Sequence, residues 1–155
     1  MSGRGADTGA MSPTEPAPIP QHEPAVTLVA DAFDAWFFAV PEELAVMRRA
    51  LQEWLVEDCA LEASAAAELV LAAHEAATEF VGQLNTVQPE SSGFAFRGEH
   101  DLGGVTLTLV APRDLRPVHS EEATWSRTIV RRLVDAADFA GCEGSTELRL
   151  RRQTR

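Results

Sequence analysis

Two carboxylates one helical turn apart, Glu75 and Glu79, are the residues of this chain best placed to do chemistry. A carboxylate such as Glu79 can hold magnesium in principle. At positions i and i+4, however, like charges repel by about a few tenths of a kcal/mol. His74-Glu75 begins the zinc motif H-E-x-x-H, but Thr78 stands where the second histidine belongs, so no zinc site follows. His22, His100 and His119 are scattered among loop-like segments without ligand spacing and read as surface residues. Cys59 and Cys142 lie 83 residues apart with no C-x-x-C pattern, most simply two reduced thiols. Neither a G-x-S-x-G elbow nor a Walker loop occurs.

The elements that must position these groups follow from apolar spacing. Val26 to Val40, rich in Val, Phe and Trp, predicts one long or interrupted strand. Pro41 with Glu42 and Glu43 marks a helix start, and Leu44, Met47, Leu51, Trp54 and Leu55 form its apolar stripe. A second helix runs from about Ala63 to Leu84. Its apolar face is Leu69, Ala73, Ala76, Ala77, Phe80 and Leu84, and Glu68, Glu75 and Glu79 form an opposite, solvated face. Phe94 and Phe96 alternate in a short strand near 92–98, and Gly103-Gly104 makes a turn. Val105, Leu107 and Leu109 alternate with Thr106, Thr108 and Val110, the pattern of a half-buried strand. A helix from about Glu121 to Ala137 would bury Trp125, Ile129 and Leu133. A turn at Gly141–Gly144 and a strand at Thr146–Leu150 complete the chain. This order predicts an α/β (α+β) two-layer sandwich, with helices on one face of a mostly antiparallel, mixed sheet.

The run Leu71-Ala72-Ala73-His74-Glu75-Ala76-Ala77-Thr78-Glu79-Phe80-Val81 resembles the first nucleotide-binding helix of the anti-sigma-factor serine kinases. These are small members of the Bergerat (GHKL-type) ATPase superfamily, and their helix reads L-A-V-S-E-A-V-T-N-A-V. The resemblance extends from about Phe33 to Leu150, carried by element order and turn positions. It implies a Bergerat fold in which Glu75 holds the place of the general base. Glu79 replaces the magnesium-binding asparagine. Where the family's strand ends in D-x-G-x-G, this chain has Ala111-Pro112-Arg113-Asp114-Leu115. Ala111 therefore stands at the adenine-reading aspartate, and Arg113 and Leu115 stand at the two glycines. The Gly-x-Gly loop before the last helix is matched by Thr124-Trp125-Ser126. Losing a charged acceptor costs about 1.5–3 kcal/mol. A carboxylate facing a triphosphate without a cation costs up to about 4 kcal/mol at 4 Å and a dielectric near 20. The scaffold pieces Arg132-Leu133-Val134-Asp135 and Gly144-Ser145-Thr146 resemble the family's; the nucleotide contacts do not.

The expected function is that of an anti-sigma-like regulator that binds a sigma factor, a STAS-domain anti-anti-sigma partner, or both, without ATP, magnesium or another cofactor. The resemblance also implies a homodimer, and sigma contacts on the first helix at Glu42, Glu43, Arg48, Arg49 and Glu53. Two other readings stay open. One is an active ATP-dependent protein-serine kinase with Glu75 as base and Glu79 on magnesium; the other is a dimerisation or adaptor module unrelated to sigma factors. The net charge of −11 argues against nucleic-acid or anionic-membrane binding. No cationic start precedes an apolar run, and no apolar stretch approaches about 18 residues, so a cytoplasmic protein is expected. Residues 1–25 hold five of the nine prolines and few large apolar side chains, and read as a disordered tail before a single domain over 26–152. Arg149, Arg151, Arg152 and Arg155 read as a solvated strand face, and Trp36 or Phe38 as a sticky edge anchor if exposed.

Overall fold

Pro41 fixes the start of the first helix, α1 (Pro41–Glu57), because its missing N–H would be unpaired there anyway. Val40 is extended, and Glu42 and Glu43 place negative charge at the positive end of the helix dipole. The helix buries Leu44, Met47, Leu51, Trp54 and Leu55, the stripe read from the sequence. It stops where the N–H groups of Asp58 and Cys59 both donate to the Trp54 carbonyl, and Ala60, at φ 49°, turns the chain into the next helix. Helix α2 (Ala63–Asn85) begins at Glu62, whose carboxylate accepts from the Ser64 hydroxyl and whose carbonyl accepts from Ala66. Those Ser64 hydrogen bonds hold the Glu62 carboxyl below its ordinary range.

The computed structural model describes residues 26–29, 32–85, 92–115, 121–142 and 144–154, with the side chains of 26–29, 121–125 and 142 left aside. The expected tail at 1–25, His22, His119, Arg155 and the Trp125 and Cys142 side chains therefore lie outside the described residues. Six strands form one sheet in the order β1-β2-β3-β4-β6-β5. They are β1 (Val26–Val29), β2 (Ala32–Phe38), β3 (Gly93–Asp101), β4 (Gly104–Ala111), β5 (Ala136–Cys142) and β6 (Ser145–Arg152). The third helix, α3 (Glu121–Leu133), falls between β4 and β5.

Three expectations change. The 26–40 strand is two strands paired antiparallel, Val26 opposite Ala35. The sheet is antiparallel at every described pairing rather than mixed. The last helix stops at Leu133, and Ala136–Cys142 is a strand rather than helix end and turn. Its alanines favour helix locally, but the Asp135 N–H donates to the Arg151 carbonyl and Phe139 pairs with Leu148, so pairing to β6 overrides propensity. Gly141 belongs to the strand, and Gly144 takes φ 75° in the turn before β6.

The inner sheet face carries Phe33, Phe37, Phe94, Phe96, Val105, Leu107, Leu109 and Leu150, all essentially without solvent exposure. Trp54 seats α1 on this face at Gly98, where a Cβ would stand only 2.7 Å from the indole ring. Phe33 tilts against Trp54 at 5.8 Å between centroids and meets Phe96 edge-on at 5.9 Å. Side chains of this size gain about 1.5–3 kcal/mol each from full burial. The helix-free face is polar: Asp34, Arg97, Glu99, Arg149 and Arg151 are exposed, as expected for Arg149 and Arg151, whereas Arg152, expected with them, is half-buried and paired with Glu68. Trp36 lies on that face over Gly93, 39% exposed, and Phe38 beside it is half-buried. No helix of the described residues is long and apolar enough to cross a membrane.

Candidate functional site

The acidic stripe of α2 is not a solvated face. Glu68, Glu75 and Glu79 are each partly covered, and each meets a donor from another element. The Ser126 hydroxyl of α3 donates to Glu75 Oε2 at 3.0 Å. Arg127, the next residue, places Nη2 2.6 Å from Glu79 Oε1. Gln83 Nε2 approaches the same oxygen from one turn along α2, at 3.4 Å. At the other end Arg152 Nη2 is 2.6 Å from Glu68, and its Nη1 donates to the Leu133 carbonyl. The expectation of an exposed face failed because a period of 3.6 locates the polar stripe but not what docks on it; α3 and β6 close over it.

These contacts remove the Glu75–Glu79 repulsion anticipated from spacing alone, since Arg127 supplies the cation. The Glu79 side chain is 17% exposed and that of Arg127 36%. Between α2, α3 and the β5–β6 hairpin the described residues bound an open groove of about 190 Å³. Glu75, Glu79, Ser126, Arg127 and Arg131 form its polar rim, with Phe80, Val130, Phe139 and Leu148 among its apolar lining.

Of the other positions assigned by resemblance, Ala111, Arg113 and Leu115 do not line this groove. Ala111 ends β4 with its methyl wholly buried, opposite Thr146 of β6. A methyl accepts no hydrogen bond. Arg113 is exposed in the segment after β4, and Leu115 packs half-buried against the core. The Leu115 N–H donates to Thr146 Oγ1 at 2.7 Å, which ties this segment down without a glycine. Thr124 lies in α3, its side chain outside the described set. Reasoning from sequence brought out Glu75, Glu79 and Ser126 but missed Arg127, the arginine directly after the Gly-x-Gly counterpart.

On α1, Glu42, Arg48, Arg49 and Glu53 are exposed, as their assignment to a partner surface requires. Glu43 differs: it is half-buried, and its Oε2 is covered without a hydrogen-bond partner among the described residues. Val46 and Val56 of α1 and Leu71 of α2 are 40–45% exposed, adding apolar area to these two helices. The charge of Arg48 on α1 also acts on His74 of α2. Burial first, then the Arg48 charge, pushes the His74 imidazole below its ordinary range, with Glu75 opposing. Its Nδ1 is buried without a partner among the described residues. No cluster of three or more His, Cys, Asp or Glu suited to a metal ion occurs among the described residues. A larger cavity, about 570 Å³, lies between the α1–α2 connection and the end of β6, lined by Glu62, Ser64, Asp135 and Arg152 among others. It shares no residue with the groove.

Among the described residues, three helices over one face of an antiparallel sheet, with the motif helix α2 between the other two, make a two-layer α+β fold. The solved structure of the RsbU and RsbW domains of Rv1364c from Mycobacterium tuberculosis has this fold: it superposes with a TM-score of 0.62 at 18% identity, over 79% of this chain. The match spans 32% of that longer chain. No family model matches the sequence, and no curated protein does.

Proposed function

We propose that this protein is a partner-switching regulator of the anti-sigma type that acts by binding other proteins and performs no nucleotide chemistry. The observation that carries the second half is the pairing of both motif carboxylates within the chain, Glu75 with Ser126 and Glu79 with Arg127. In the resemblance these positions serve base and metal. Here the guanidinium stands at the carboxylate that would face the metal. The residues present do not fit magnesium–ATP on three further counts. Ala111 offers no acceptor, Leu115 crowds a glycine position, and about 190 Å³ falls short of the roughly 300–1,000 Å³ of small-molecule sites.

The first half rests on the α2 motif together with a fold likeness to a chain bearing RsbU and RsbW domains. The proposed partners are a sigma factor and a STAS-domain antagonist, with a homodimer as the working assembly and the cytoplasm as its site. Switching would then follow from differential affinity between competing partners rather than from phosphorylation. The proposed contact surface is the exposed side of α1, with Arg48 at its centre and Arg49, Glu42 and Glu53 around it.

Affinity capture with the tagged full chain, followed by mass spectrometry, tests this reading. Retention of a sigma factor or a STAS protein, lost on Arg48→Glu with the fold intact by circular dichroism, is the expected result. Capture that survives the charge reversal contradicts the α1 assignment. Retention of neither class points to an adaptor unrelated to sigma factors.

A further inference from the structure

We propose that the free edge of β5, with the groove behind it, is a docking site for an extended, apolar segment of a partner protein that carries a carboxylate. The segment would add to the sheet as a seventh strand. This surface is separate from α1 and does not depend on the anti-sigma reading.

Among the described residues β5 stands last in the sheet order and pairs with β6 alone. Its outer row of N–H and C=O groups is a template for another strand. Edges are ordinarily guarded by proline, lysine or an inward-pointing charge. Ala136–Cys142 has none of these; its one charge, Asp138, stands opposite Arg149 in the strand register, on the helix-free face. Phe139 points instead to the groove side, opposite Leu148, and is 48% exposed.

A strand laid beside β5 sends every second side chain to the groove side. There Val130, Phe80 and Leu148 offer an apolar floor, and a volume of about 190 Å³ suits one large aliphatic or aromatic side chain. The rim sets the charge. Glu75 and Glu79 are already bonded to α3, whereas Arg131, exposed in the last turn of α3, has no ion-pair partner among the described residues. A carboxylate near the apolar anchor would answer it. A second copy of this chain fits less well here: β5 against β5 would bring two Arg131 side chains to one seam.

Panning the full chain against a displayed library of random peptides, each roughly nine residues to match an ordinary strand, tests the proposal. The enriched peptides are expected to alternate apolar residues and to carry Asp or Glu. On binding, hydrogen exchange should slow at the amides of Ala136–Cys142. Phe139→Asp and Arg131→Glu should each weaken binding by about tenfold or more, and a proline at the peptide centre should abolish it. Both side chains are exposed, so melting curves check that the fold is kept. If Phe139→Asp fails to fold, Arg131→Glu decides by recovering affinity for a peptide whose carboxylate is exchanged for lysine. Any of four results overturns the proposal: no enrichment, peptides with helical spacing, protection at another surface, or β5 protection that rises with protein concentration alone.

Discussion

Breaking the Arg127–Glu79 pair should cost stability in proportion to how far α3 shields it from water. Two unit charges about 4 Å apart interact by about 4 kcal/mol at a dielectric near 20, before desolvation and screening are subtracted. Exposed ion pairs are worth about 0.2–1 kcal/mol, whereas stripping one partner from a buried pair costs about 3–5 kcal/mol. Glu79 is mostly covered, but the arginine side chain is 36% exposed and its charge is screened accordingly. A coupling of about 1–2 kcal/mol lies between those limits. Arg127→Met, Glu79→Gln and the double variant close a thermodynamic cycle, read by urea unfolding through tryptophan fluorescence. Met keeps much of the aliphatic stem, so the cycle reports charge and hydrogen bond more than packing. The single effects should sum to more than the double effect. If they add within about 0.3–0.5 kcal/mol, the two residues are independent and the latch between α2 and α3 does not exist.

Three further outcomes follow from the packing. Gly98→Ala forces a methyl to within 2.7 Å of the Trp54 ring and should destabilise by about 1–3 kcal/mol in the same urea assay. Gly82→Ala, in an exposed turn of α2 where a Cβ meets nothing within 4 Å, should stabilise by up to about 1 kcal/mol. His74 sets a pH dependence. Because burial and Arg48 hold its folded pKa below 6.5, the unfolded chain takes up the proton first. Stability is therefore complete above about pH 6.5 and declines as pH falls below it, until the folded imidazole also protonates. His74→Gln should flatten that decline between about pH 6.5 and 5, measured by urea midpoints; an unchanged slope would mean the imidazole titrates normally.

The elements legible in the sequence were those whose period admits one reading. The α1 stripe from Leu44 to Leu55, the α2 stripe from Leu69 to Leu84 and the alternation from Val105 to Val110 each repeat long enough to exclude the other geometry. Ala136-Ala137-Asp138-Phe139-Ala140 is too short and too alanine-rich to decide between helix and strand, and only β6 beside it decides. The site divides along the same line. Glu75 and Glu79 could be placed on one face of a helix, but their partners lie 51 and 48 residues away, beyond any local rule. Ala111 ends β4, with Arg113 and Leu115 in the segment that follows, as the alternation from Val105 to Val110 indicates. What no pattern could give is that Thr146 anchors this segment.

Glu75 and Glu79 are either spent on α3 or held ready for a nucleotide. Isothermal titration of magnesium–ATP into the full chain measures this directly. No saturable heat in the micromolar range is predicted, and none should emerge when magnesium is replaced by manganese. Saturable micromolar binding that needs the divalent cation and disappears on Glu79→Ala would contradict it.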